Sequence, residues 1–127
     1  MLPHVIIPSE AGRELDALVA EKVIGWQIHQ PNWGCPPAVR RPGGAISLYL
    51  PEAVPHYSTS IAAVWEVMEA LRQRGVHLRV SSAYRGYEVQ RWERDQWCST
   101  EYGETAPLAI CLAALKAVAV SPTEPVP

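Results

Sequence analysis

Apolar residues recur at helical spacing in three stretches of the chain. The first stretch predicts a helix from Ser9 to Ile24, with Ser9 as its N-cap and Gly25 as the glycine that ends it. Its expected buried stripe consists of Leu15, Leu18, Val19 and Val23. One face of this segment is therefore expected to lie in the core.

Two further helices are predicted in the same way. The second covers residues 57–74, and Ser58 or Thr59 is its expected N-cap. The third begins at Thr105, with Pro107 inside its first turn. The core stripe expected on the second helix is Ile61, Val64, Trp65, Met68 and Leu71. The one expected on the third helix is Leu108, Cys111, Leu112, Leu115 and Ala119.

Strands are indicated where apolar and polar residues alternate. The clearest covers residues 76–84 and is followed by a turn and an antiparallel partner over residues 87–97. Shorter strands are expected at 26–30 and 45–50, whereas the prolines and glycines of residues 31–44 predict an irregular loop.

This order of elements predicts one α+β domain. We expect a small helix/sheet/helix sandwich with a mostly antiparallel or mixed sheet over residues 1–120. A flexible, proline-rich tail is expected over residues 121–127. The length of 127 residues suits a single domain.

Charge and cysteine usage limit the classes of partner. Eleven basic and thirteen acidic residues give a net charge of −2, which argues against binding to a nucleic acid polymer. The sequence has no apolar run long enough for a membrane span and no recognisable signal peptide, so we expect a cytoplasmic protein. Three widely spaced cysteines predict free thiols, with Cys111 in the core.

Catalytic and metal motifs are missing from the sequence. It contains no GxSxG, Walker, HExxH or GxGxxG pattern, and its four histidines are scattered. We therefore expect neither an enzyme nor a bound metal or cofactor. One enzymatic alternative stays open, in which His56 and a nearby acid act on a nucleotide, with a hydroxyl of residues 58–60 as a possible nucleophile.

Arginine and aromatic residues are concentrated in one segment. Six of the eleven basic residues lie between positions 72 and 94. Arginine next to exposed aromatic rings suits a site that stacks a base and holds a phosphate, and a helix start adds free N–H groups. The predicted ligand-binding residues are Arg85, Arg91, Arg94, Tyr84, Tyr87, Trp92, Ser58 and Thr59.

The same composition also fits a sheet with a solvated arginine face and aromatic cross-strand pairs, so both interpretations stay open.

The tryptophans fall into two groups, core residues and candidate contact residues. Trp26 and Trp65 are expected in the core, because they lie on apolar stripes. Trp33 and Trp97 lie in segments expected to be irregular, which favours a ligand wall or a subunit interface.

Three segments, at residues 12–26, 55–75 and 104–118, carry a family resemblance. They read GRELDALVAEKVIGW, PHYSTSIAAVWEVMEALRQRG and ETAPLAICLAALKAV. Together they resemble the phage alpha-beta-alpha sandwich domain, which implies a helix/sheet/helix sandwich and a phage or prophage origin. The sequence departs from the family pattern at Ser60, where an aspartate is usual, and in the segments 31–55 and 85–102.

The resemblance brings no established catalytic residues but places the chain among small phage proteins, which often counter host defence. By analogy with the Thoeris anti-defence sponges, we expect a homo-oligomer that sequesters an immune signalling nucleotide without cleaving it. A cyclic ADP-ribose isomer or a cyclic oligonucleotide would be the ligand. The alternatives are a protein–protein interaction module that inhibits a host defence protein and a small nucleotide hydrolase or lyase.

Overall fold

The fold was taken from a computed structural model, which describes residues 7–29, 38–40, 42–44, 46–48 and 54–119. Its helices are α1 (Arg13–Val19), which continues as a π-helical turn (Ala20–Ile24), α2 (Ile61–Gln73) and α3 (Ala106–Ala119). Its strands are β1 (Gln27–His29), β2 (Ala38–Arg40), β3 (Ile46–Leu48), β4 (Val76–Ala83), β5 (Gly86–Glu93) and β6 (Gln96–Gly103).

The strands form two antiparallel sheets. One has the order β1-β2-β3, and the other has the order β4-β5-β6. In the second sheet Val80 pairs with Val89, and Val89 pairs with Glu101. The pairing of β5 with β6 shifts by one residue at Cys98, because Arg91 pairs with Ser99 while Trp92 pairs with Trp97.

The core lies between the larger sheet and the helices. Helices α2 and α3 contact β4 and each other, and α3 also packs on β5 and β6. Val89 in the middle of β5 is fully buried, as are Leu71 of α2 and Ile110 of α3. The predicted α+β class and antiparallel sheet are therefore confirmed.

The first helix is shorter than its apolar pattern indicated. Its N-cap is Gly12 and not Ser9, and no side chain caps it. The C-terminal end agrees with the prediction, because Gly25 adopts a left-handed conformation with φ of 98°. Leu15, Val19 and Val23 are buried as predicted.

The start of α2 corrects the sequence prediction. Ser60 is the N-cap, and its hydroxyl accepts a hydrogen bond of 3.2 Å from the amide of Ala63. Ser58 and Thr59 lie in the preceding turn. Three consecutive residues, Ser-Thr-Ser, all have side chains that can cap a helix, so the local sequence does not select among them.

The buried face of α2 is rotated about the helix axis relative to the predicted core stripe. Val64, Val67 and Leu71 are fully buried, whereas the side chains of Ile61 and Trp65 are 50% and 58% exposed. The placement of Trp65 in the core was therefore wrong. Both sets of residues follow helical spacing, and only the packing against α3 and β4 decides which set faces inward.

Two strands lie where none was predicted. Residues 38–40 form β2 inside the segment that its prolines marked as irregular. Residues 96–103 form β6 after a two-residue turn at Arg94 and Asp95, whose φ angles are 53° and 61°. A turn with two positive φ angles normally carries Asn or Gly, so this hairpin has no ordinary sequence signal. Trp33, Cys35 and the predicted tail lie outside the described residues.

Gly103 permits close contact between β6 and α3. A Cβ atom at this position would lie 2.8 Å from the amide nitrogen of Ala109 and 3.0 Å from its Cα atom. These distances are shorter than a carbon side chain tolerates. A glycine is therefore needed for α3 to pack directly on the end of β6.

Candidate ligand-binding site

The side chains of the larger sheet alternate between two faces. Leu78, Val80 and Val89 lie on the face that packs against the helices. The opposite face, here called the outer face, carries His77, Arg79 and Ser81 from β4 and Glu88, Gln90 and Trp92 from β5. His77 and Arg79 are exposed, and Trp92 is half-buried.

Arg79 and Trp92 form a stacked pair on the outer face. The guanidinium carbon of Arg79 lies 5.1 Å from the centroid of the Trp92 ring. Arg79 pairs with Gln90 across the strands, so Trp92 is its diagonal neighbour, and the Trp92 Nε1–H donates to Gln90 Oε1 at 3.4 Å. Among the described residues, no carboxylate lies within ion-pair distance of Arg79.

A cavity of about 430 Å³ surrounds this pair and is lined by His77, Leu78, Arg79, Trp92 and Asp95. It combines an aromatic ring, an imidazole, the carboxylate of Asp95 and a guanidinium that makes no ion pair with the described residues. These groups suit an anion that also carries a flat ring, because the guanidinium offers parallel donors and the indole offers a stacking surface.

The predicted ligand-binding segment is divided between the two ends of β5. Trp92 and Arg94 lie at the end that meets β6, whereas Tyr84, Arg85 and Tyr87 lie at the turn between β4 and β5. Eight residues of strand separate these ends by roughly 25 Å. The predicted residues therefore do not form one cluster.

Arg91 faces the opposite side of the sheet from Trp92. It pairs with Leu78, and its side chain is only 12% exposed. Its Nε lies 3.8 Å from Glu93 Oε2 and makes no hydrogen bond with the described residues. Arg91 therefore does not belong to the cavity that contains Trp92.

The other end of β5 carries a second, smaller group. The Arg85 guanidinium lies 6.0 Å from the centroid of the Tyr84 ring, and Tyr84 is 97% exposed. A cavity of about 290 Å³ there includes Arg85, Tyr87 and Tyr102 in its lining.

Ser58 and Thr59 differ in their surroundings. Ser58 is fully buried, and its amide and hydroxyl donate to Oδ1 of buried Asp16 at 2.7 and 2.5 Å. The Ser58 hydroxyl also accepts a bond of 3.0 Å from the amide of Gly12. Thr59 is exposed. Ser58 thus joins the turn before α2 to α1 and offers no free hydroxyl at a helix start.

His56 lies next to a buried acid and an arginine. Its Nδ1 lies 4.0 Å from Asp16 Oδ2 and 3.0 Å from Arg13 Nη1. A guanidinium can only donate, so Nδ1 is the acceptor and the proton of the neutral ring is on Nε2. The 61% exposed neutral imidazole then presents an N–H donor to solvent.

Burial makes the thiol of Cys111 a weaker acid than an ordinary cysteine. It raises the pKa of Cys111 to about 12, with a smaller contribution from the negative charge of Asp16. The thiol of Cys98, which is half-buried, donates to Glu93 Oε2 at 3.2 Å.

Among the described residues, no group of three His, Cys, Asp or Glu side chains suits a metal ion.

Sequence reasoning missed His77 and Arg79 as site residues. Both alternate with Val76, Leu78 and Val80, the apolar residues of β4 that face the helices, which marks them as facing the opposite side together. Their position beside Trp92 depends on the register of β4 against β5. A single sequence does not establish that register when the turn is Tyr84-Arg85.

A comparison with known protein families shows the family to which the chain belongs. The sequence profile of the phage ABA sandwich domain matches residues 17–115, which include the end of α1, all of α2, both sheets and most of α3. The chain belongs to the phage ABA sandwich domain family. It is a small phage-type protein, as the three sequence segments implied.

A solved structure shares the fold of this phage ABA sandwich protein. It is the 2.0 Å crystal structure of a phage protein from Bacillus cereus ATCC 14579, with a TM-score of 0.60 and 24% sequence identity. The match covers 94% of this chain and 98% of that protein. No curated protein matches the sequence. In the part of the chain that the structure describes, the helices are too short or too polar to cross a membrane.

Proposed function

We propose that this phage ABA sandwich protein binds a small nucleotide on the outer face of its sheet and withholds it without cleaving it. The observation that carries the proposal is the Arg79 guanidinium stacked on Trp92 with no acidic partner among the described residues. Such a protein would act against host defence in the host cytoplasm, with a cyclic ADP-ribose isomer or a cyclic oligonucleotide as its ligand.

The chemistry of the cavity favours a nucleotide over a simpler anion. A phosphate alone would need the guanidinium, whereas a base adds stacking on an aromatic ring, worth about 1–3 kcal/mol per base. His77 adds a further hydrogen-bonding group. Arg94 in the adjoining turn adds a positive charge to this end of the sheet, and Asp95 in the cavity lining adds a negative one. The net charge of −2 supports a small ligand and not a nucleic acid polymer.

Binding without turnover is supported by the state of His56. Arg13 donates to its Nδ1, so the exposed nitrogen of the neutral ring carries the proton. Ser58, the nearby hydroxyl, is fully buried and donates to Asp16. These two residues therefore lack the orientation that a nucleophile and its base require.

Charge removal at Arg79 tests the site. Arg79→Ala is expected to weaken nucleotide binding at least tenfold, and Arg79→Lys is expected to restore part of it, with titration calorimetry as the measurement. Arg40→Ala is the matched control, because Arg40 is an exposed arginine on β2 in the other sheet. Equal affinity of Arg79→Ala and the unmodified protein for the same nucleotide would exclude this site.

A further inference from the structure

The outward side of α2 carries exposed apolar side chains. Ile61 and Trp65 are four residues apart and lie on one face of the helix, and they are 50% and 58% exposed. Met68 continues this row and is half-buried. Large side chains that remain exposed in one row on a helix are typical of a surface that contacts another protein.

Among the described residues, the sheet edge beside this row is unpaired. In the order β4-β5-β6, strand β4 is an edge, and its eight residues pair with β5 without any interruption. It contains no proline and no bulge, the features that usually protect an edge from pairing with another strand. The other edge, β6, has a bulge at Cys98 and lies close to α3 at Gly103.

The helix row and the strand edge form one continuous surface. A groove of about 210 Å³ lies between them, and its lining includes Trp65, Met68, Val76 and His77. A strand added to β4 would therefore lie beside α2 as well. The two features form one surface and not two separate patches.

We propose that this surface, formed by Ile61, Trp65, Met68, Arg72 and the edge of β4, binds a second copy of the same chain around a two-fold axis. Antiparallel pairing of two β4 strands gives such an axis, and it places the two α2 helices antiparallel to each other. The same surface then serves both copies, as a two-fold interface requires.

Complementary side chains on α2 favour a second copy over a different protein. Trp65 and Arg72 are seven residues apart, about two helical turns, so a two-fold axis that passes beside Met68 places Trp65 of each copy opposite Arg72 of the other. Arg72 is 59% exposed and is held flat by two hydrogen bonds to Glu69, from Nε at 3.0 Å and Nη2 at 2.6 Å. A guanidinium held in this way can stack on an indole ring.

Analytical ultracentrifugation of the full chain without ligand tests the interface. The unmodified protein is expected to sediment at twice the chain mass of 14.0 kDa. Trp65→Ala and Ile61→Ser are each expected to yield a folded monomer with an unchanged far-ultraviolet circular dichroism spectrum, since both side chains are exposed. Arg72→Ala is expected to weaken association at least fivefold.

Tyr102→Ala is the matched control, because it removes a 64% exposed aromatic ring from β6 at the other edge. It is expected to leave the dimer intact. A monomer at all concentrations, a trimer, or a dimer that survives both Trp65→Ala and Ile61→Ser would overturn the proposal. Because no nucleotide is present, failure here is distinguishable from failure of nucleotide binding.

Discussion

The hydroxyl of Ser58 donates a 2.5 Å hydrogen bond to Oδ1 of Asp16, and both side chains are buried. The partners are 42 residues apart in the sequence, so this contact joins α1 to the turn before α2. Oδ2 of the same carboxylate accepts a bond of 2.8 Å from Arg13, whose other Nη donates to the Val54 carbonyl. The carboxylate of Asp16 is thus the centre of a buried polar connection between distant segments.

Removal of the Ser58 hydroxyl is expected to destabilise the fold. Ser58→Ala leaves the amide of Gly12 without its acceptor and Asp16 with one donor fewer, which costs about 1–3 kcal/mol. Urea denaturation measures the change in the free energy of unfolding. Thr59→Ala is the control, because Thr59 is exposed, and it is expected to change stability by less than about 0.5 kcal/mol. Equal stability of both variants would show that the Asp16 connection is not stabilising.

A methyl group at position 103 is expected to separate α3 from β6. Gly103→Ala places a carbon 2.8 Å from the amide nitrogen of Ala109, and relief of this overlap costs about 1–3 kcal/mol. Thermal unfolding measures the loss. Gly12→Ala is the matched control, since no atom lies within 4 Å of its added carbon. A Gly103→Ala protein as stable as the control would mean that the two elements are not in direct contact.

The two described thiols are expected to differ in reactivity. Cys111 is buried, and its pKa is raised to about 12, so it carries almost no thiolate at pH 8. A brief exposure of the native protein to iodoacetamide is expected to modify Cys98 and to leave Cys111 unmodified, as read by peptide mass spectrometry. Rapid modification of Cys111 in the native state would contradict its burial in the core.

The same pKa predicts how stability changes in alkaline solution. The folded pKa of Cys111 lies above the ordinary value of 9.0, so the unfolded chain loses this proton first. The contribution of the neutral thiol is fully present below about pH 9 and is lost as the pH rises toward 12. The unmodified protein is therefore expected to lose more stability between pH 9 and 11 than Cys111→Ala. Parallel pH profiles for the two proteins would contradict the assignment.

Arg91 and Arg94 are expected to respond differently to truncation. Arg91 is 12% exposed, so Arg91→Ala leaves a gap beneath the sheet and lowers stability by about 1–3 kcal/mol. Arg94 is exposed in the turn after β5, and Arg94→Ala is expected to change stability by less than about 1 kcal/mol. Chemical denaturation of both variants measures this. A larger loss for Arg94→Ala than for Arg91→Ala would contradict the burial of Arg91.

Most of the helices could be predicted from local sequence patterns, but the ligand-binding site at Arg79 and Trp92 could not. Helix α3 begins where Thr105 and Pro107 indicate, and the Thr105 hydroxyl accepts from the amide of Leu108 at 3.3 Å. The exposure of Trp65 depends on which of two helical stripes meets α3, which no local pattern records. Arg79 lies beside Trp92 because of the register of β4 against β5, and the Tyr84-Arg85 turn that sets this register carries no ordinary hairpin signal.

Native mass spectrometry with a panel of cyclic nucleotides and ADP-ribose isomers tests the proposed function most directly. The protein is sprayed alone and with each compound, and the bound compound is then released by heat and identified by chromatography. We expect one class of nucleotide to bind the unmodified protein, to be lost in Arg79→Ala and to be recovered chemically unchanged. Recovery of an altered nucleotide, or no binding by any member of the panel, would contradict the account.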